Sequence, residues 1–224
     1  MKKPSRAVSL TLALVLTVAV PPAVVALMGG WATITVEDLP DYAVAGEPLN
    51  LRFTIRQHGE ELMSDLRPTV EAKSGLVGAS AVARPSSKGV YVATITPPDA
   101  GEWTVTIHSG LGTSKLTLLP IQAIPRGAAV PPPLSDPDRG RRLFVAKGCV
   151  GCHMRNEAGL AMGESIGPEL TGKRYQADFL RRFLTDPAAN PTRTGTFRMP
   201  NLALKPAEIA SLVAFINSDR SAGN

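Results

Sequence analysis

Cys149-Val150-Gly151-Cys152-His153 reads C-x-x-C-H, the spacing of a haem c attachment motif. Two thiols three positions apart can each bond one vinyl group of a single porphyrin, and the histidine that follows reaches the iron from one face. These are the chain's 2 cysteines, and His153 is one of 3 histidines. Three other chemistries fit the bare pattern less well. A redox dithiol sits between a strand and a helix of a βαβ unit, and no such pattern surrounds Cys149. A structural zinc site needs four ligands, and His58 and His108 lie far upstream in sequence of a different character. A disulfide across two residues closes a small, strained loop.

Working outward from the motif, a helix precedes it, Ile166-Gly167-Pro168-Glu169-Leu170 and Arg198-Met199-Pro200 follow it, and an amphipathic helix closes the chain. This order resembles the class I cytochromes c, over about Ser135 to Asn224. The resemblance implies a small, mostly α domain whose core is completed by one covalently bound haem c. It implies a methionine sulfur opposite the histidine, and Met199, 46 residues after His153, is the expected ligand. A neutral thioether favours Fe(II) relative to a second imidazole and so raises the potential. Met154 and Met162 are the rivals, and bis-histidine ligation would need His58 or His108. The resemblance also implies that the Pro168 carbonyl accepts a hydrogen bond from Nδ1 of His153 and orients the ring. The expected site is therefore Cys149, Cys152, His153, Pro168 and Met199, with His153 and Met199 on the iron.

Helix signals frame that site. Ser135 with Asp138 three residues on reads as a capped helix start, and Asp136 and Asp138 suit the positive helix end. Gly140 and Phe144 share a face one turn apart. In the resembled family a glycine and an aromatic here cross the last helix closely. Ile209, Leu212, Val213 and Ile216 make the apolar stripe of a helix over about 206–217, with Phe215 at the family's aromatic position. A further helix over 177–185 carries Leu180, Phe183 and Leu184 on one face, and Asp186-Pro187 ends it.

The chain begins with Lys2, Lys3 and Arg6, followed by an uncharged stretch from Ala7 to Gly30. Residues 1–30 read as a membrane anchor that leaves the rest outside the cytoplasm. A cleaved export signal, giving a periplasmic or secreted protein, is the alternative, with Val24-Val25-Ala26 as a weak cleavage site. Residues 31–119 change character. Leu49, Leu51, Phe53 and Ile55 alternate, as do Trp103, Val105 and Ile107, and Gly, Pro, Asp and Ser turns separate the runs. The expected fold is an all-β immunoglobulin-like sandwich. The pattern Gly89-x-Tyr91 with Ala100-Gly101-x-Trp103 is similar to the exported YtkA-like sandwiches, found beside copper handling and oxidase assembly. His58, His108 and Met63 are the residues a copper site would use. Residues 120–134, with Pro125, Pro131, Pro132 and Pro133, read as a stiff linker that holds the haem domain (135–224) away from the sandwich.

Charge divides along the same lines. The net charge is +5. Residues 31–134 carry 8 basic and 10 acidic side chains, and 135–224 carry 13 and 9. The excess on the second segment offsets haem propionates, and Arg139, Arg141, Arg142, Arg181 and Arg182 form a candidate steering face for an acidic redox partner. Nucleic acid is not an expected partner. The expectation is a membrane-tethered electron carrier rather than an enzyme, because two axial ligands leave no open iron site. Its partners are a redox protein or a respiratory membrane complex of the haem-copper oxidase or nitric oxide reductase type. The alternative is an oxidase-assembly or copper-handling factor with a redox haem domain.

Overall fold

The computed structural model describes residues 30–155, 167–189 and 198–218. The expected anchor (1–29 of its 30 residues), Met162 and Ile166 lie outside these. Among the described residues no helix is long and apolar enough to cross a membrane.

Two sheets face each other in the first domain. The first has the order β1 (Ala32–Val36), β3 (Leu49–Gln57), β8 (Val90–Ile95), β7 (Arg84–Ser87), with β4 (Glu61–Leu62) also on β3. The second runs β2 (Tyr42–Val44), β11 (Ile121–Ile124), β9 (Gly101–His108), β5 (Thr69–Ser74), β6 (Val77–Val82), with β10 (Lys115–Thr117) on β9. The alternation predicted for Leu49–Ile55 and Trp103–Ile107 sets which faces are buried. Leu51, Phe53, Ile55, Trp103 and Ile107 are all 1% exposed or less, so each strand's inward residues interdigitate between the sheets. Buried aromatic polar atoms are satisfied. Trp103 Nε1 donates to the Asp99 carbonyl at 2.9 Å, and Tyr91 Oη donates to the Met63 carbonyl at 2.7 Å.

The predicted linker requires two corrections. Its first part is strand β11, antiparallel to β9 and parallel to β2. Ile121 and Ala123 are fully buried there, so the sandwich extends to Ile124. Pro120 and Pro125 flank the strand rather than interrupt it, which is where a sheet tolerates proline. Nor does the connection hold the domains apart. They share an interface, described below.

The second domain has three α-helices among the described residues: α1 (Asp136–Ala146), α2 (Ala177–Thr185) and α3 (Pro206–Ile216). Ser135 caps α1, its Oγ accepting the Asp138 N–H at 3.3 Å while its hydroxyl donates to the Asp138 carboxylate. Helices α1 and α3 cross at Gly140. A Cβ built there would lie 2.0 Å from the Ser211 carbonyl oxygen and 2.6 Å from Phe215 Cβ, so only glycine allows this approach. One turn on, the Phe144 and Phe215 rings meet with centroids 5.6 Å apart.

Candidate haem site

Helix α1 delivers the chain to the motif through a single sharp turn. Lys147 ends the helix and Gly148 follows with φ +76°, the left-handed conformation that stops helices. Space also demands glycine here, since a Cβ would lie 2.6 Å from the Ile34 carbonyl oxygen on β1. A 3-10 turn, Cys149–Gly151, follows, and the His153 N–H closes it onto the Cys149 carbonyl at 2.8 Å.

His153 Nδ1 is 2.9 Å from the Pro168 carbonyl oxygen. A carbonyl can only accept, so Nδ1 carries the hydrogen and Nε2 keeps its lone pair for a metal. Burial pushes the His153 pKa below its ordinary value, and the Pro168 carbonyl opposes this only in part, so the ring is neutral near pH 7. Gly167 makes this contact possible. Its N–H donates to the Cys152 carbonyl at 2.7 Å, and a side chain there would lie 2.5 Å from His153 Cε1.

The cysteines are unpaired with each other. Burial, with Cys152 beside it, pushes the Cys149 thiol up to about 12, and burial raises Cys152 as well. A working dithiol keeps its attacking thiol low enough to ionise near neutral pH.

Cys149, Cys152, His153, Met199 and Pro200 line one cavity. Met199 is partly buried against the core. The chemistry of this donor set fits haem c: two thiols, a neutral imidazole of fixed tautomer and a thioether line the same cavity. The expected residues are thus brought together, with Pro168 at the imidazole. His58 also lines this cavity, whereas His108 lies on β9, 3.9 Å from a Glu71 carboxylate oxygen. Among the described residues no group of three or more His, Cys, Asp or Glu side chains could hold a metal ion.

Two residues of the site carry no sequence signal. Arg155 is 1% exposed. Its guanidinium donates to the carbonyls of Leu170 (2.9 Å), Phe215 (3.0 Å) and Ser218 (3.2 Å) and lies 4.7 Å from the Phe215 ring centroid. It ties the histidine loop to the carbonyl end of α3, where a cation is favoured. Lys147, at 4% exposure, donates to the Glu37 carbonyl at 2.6 Å and pairs with Glu208 at 2.7 Å. That reach from α1 to both α3 and the sandwich is invisible in a local pattern.

The interface around Lys147 also revises the reading of the arginines. Arg139 pairs with Asp41 at 2.9 Å, Arg142 donates to the Asp41 carbonyl, and Lys205 pairs with Asp38. The Arg139 guanidinium holds the Asp41 carboxyl below its usual range. Arg139 and Arg142 thus face the sandwich and are not part of a free steering surface.

The chain's relatives match in two separate ways. Residues 137–219 match the family model of cytochrome c. No curated protein matches the chain. Among solved structures, the filamin domain of Lin-41 is similar at 16% identity and a TM-score of 0.35, over 43% of this chain and 93% of that one. Domains 4 and 5 of the S-layer protein SbsC match at 17% and 0.34, over 43% of this chain and 54% of that one. A conjugative transposon lipoprotein from Bacteroides eggerthii matches at 13% and 0.28, over 40% and 95%. These likenesses are slight and carry no argument. Motif, site geometry and family match converge on the second domain: after a β-sandwich, the chain ends in a cytochrome c domain, the fold of haem electron carriers.

Proposed function

We propose that this protein is a single-haem c-type cytochrome that passes one electron at a time. Cys149 and Cys152 would hold the porphyrin, His153 and Met199 would ligate its iron, and Pro168 would fix the imidazole. The observation that carries this reading is the 2.9 Å contact between His153 Nδ1 and the Pro168 carbonyl, in a cavity shared with both cysteines and Met199. Bound haem c would supply the Fe(III)/Fe(II) couple. The protein's own task is to keep both ligands in place through the cycle, so that little reorganises when the charge changes. Arg155 and the α1–α3 crossing do this for the histidine loop.

The basic flank and uncharged stretch of residues 1–30 support tethering to a membrane, with both folded domains on the extracytoplasmic side. Haem c is attached outside the cytoplasm, which agrees with that side. A tethered one-electron carrier without an open iron site fits donation to, or membership of, a respiratory membrane complex such as a haem-copper oxidase or nitric oxide reductase.

Carbon monoxide tests the ligand set. The reduced protein is expected to bind it slowly or not at all, and Met199→Ala to bind it rapidly. Rapid binding by the unsubstituted protein would remove Met199 from the iron. Recovery of the intact chain in washed membranes, with a redox complex co-purifying, is the result expected for the tether. Recovery in the soluble fraction would count against it.

A further inference from the structure

The cavity that holds the haem ligands is not closed by the cytochrome domain alone. Trp31, Thr33 and His58 of the sandwich line it beside Cys149 and Cys152. The docking is close along β1. Gly148 meets the Ile34 carbonyl, a methyl added at Gly151 would lie 3.8 Å from Thr33 Cγ2, and Thr35 Oγ1 donates to the Lys147 carbonyl at 3.4 Å. The segment that leads into the attachment motif therefore packs against β1 of the sandwich.

His58 is the anomaly in this wall. It occupies the β3–β4 turn with φ +50°, followed by Gly59 at φ +79°, and the Glu60 N–H closes the turn onto the Gln57 carbonyl at 3.0 Å. Such a turn, left-handed at both central residues, favours Asn-Gly. A histidine at its first central position is strained, and strain of this kind concentrates at functional sites. The turn does not account for the ring. Its surroundings do: the His58 ring meets the Trp31 ring edge-on, centroids 5.7 Å apart, while the His58 backbone N–H donates to the Trp31 carbonyl at 3.0 Å.

We infer that the Trp31–His58 pair is the cysteine-side wall of the haem cavity, contributed by the sandwich to keep water from the prosthetic group and so to raise its reduction potential. The warrant is general: the shell around a metal site sets solvent access and local dielectric, and exposure to water favours the more highly charged oxidised form. The sandwich then acts as a positioning element for electron transfer. The inference rests on the proposal that the chain carries haem c.

The test uses the full chain with haem attached and reads two quantities, the equilibrium redox titration and amide hydrogen exchange over residues 148–153. Trp31→Ala is expected to shift the Fe(III)/Fe(II) ratio at a fixed ambient potential several-fold toward Fe(III), and to speed exchange of those amides. Trp31→Phe restores most of both. His58→Asn, which suits the turn and removes the ring, shifts the ratio in the same direction by less. Unchanged titration and exchange in both Trp31→Ala and His58→Asn would overturn the inference. If Trp31→Ala does not fold, His58→Asn decides alone. Absence of covalent haem from the unsubstituted chain is a different failure, that of the haem proposal itself.

Discussion

The sandwich and the cytochrome domain bury their interiors by opposite means. In the sandwich, Trp103, Tyr91, Phe53 and Leu51 fill the space between two sheets and are 1% exposed or less. Their polar atoms reach backbone carbonyls within the same domain. In the cytochrome domain, α1 and α3 make one tight contact at Gly140 and Phe144, and the other side opens on a cavity lined by Cys149, His153 and Met199. One domain is complete in its own side chains. The other leaves a cavity whose lining includes residues of its neighbour.

The largest effect expected from that difference comes from removing the attachment. The double substitution Cys149→Ser, Cys152→Ser should abolish covalent haem and leave the cytochrome domain largely unfolded while the sandwich persists. Residue-resolved hydrogen exchange checks this. Equal protection of both domains in the haem-free protein would break the comparison.

Next in size is Gly140→Val. The α1–α3 crossing has no room for a side chain, and overpacking of this kind costs about 3 kcal/mol or more. Thermal unfolding should show a much lower transition for the cytochrome domain only. Trp103→Ala is the mirror experiment. It should cost the sandwich about 3–5 kcal/mol and lower the sandwich's own transition instead.

What the sequence made legible divides in the same way. The alternation of β3 and β9, the Ser135 cap, the stripe of α3 and the order of Cys149, Cys152, His153, Pro168 and Met199 are local patterns, and local patterns have a period or a spacing to read. Strand β6 was not legible because Val77–Val82 is built mostly of small residues and largely exposed, with no large apolar residue in alternation. Strand β11 was hidden between prolines. Arg155 and Lys147 were missed for a different reason. A buried cation is defined by the carbonyls and carboxylates that surround it, here from Glu37, Leu170, Glu208 and Phe215, and no nearby residue announces them. The interface between domains was misjudged because proline content reports stiffness and not direction.

Lys147→Met sharpens the comparison at that interface. Truncating one partner of a buried pair costs about 3–5 kcal/mol when the other stays buried. Glu208 is 13% exposed at its side chain, so the lower end is expected. The loss should appear in the cytochrome domain and in its docking to the sandwich together.

The smallest expected effect is Asp41→Asn, at about 1 kcal/mol for a partly exposed pair. It carries a pH signature. The folded Asp41 pKa is depressed by Arg139, so its contribution is fully present above the ordinary carboxylate value of about 3.9. It is lost as pH falls through the folded value. The stability difference between Asp41→Asn and the unsubstituted protein should therefore be constant near neutrality and shrink in acid. A difference that grows in acid would contradict the pairing.

The central claim, that one haem is covalently held by Cys149 and Cys152, is tested most directly by the mass of the denatured full-length chain after expression with haem c attachment machinery. The account predicts the polypeptide plus one haem, retained in denaturant and lost when both cysteines are replaced by serine. A bare polypeptide mass, or haem that washes away on denaturation, would contradict it.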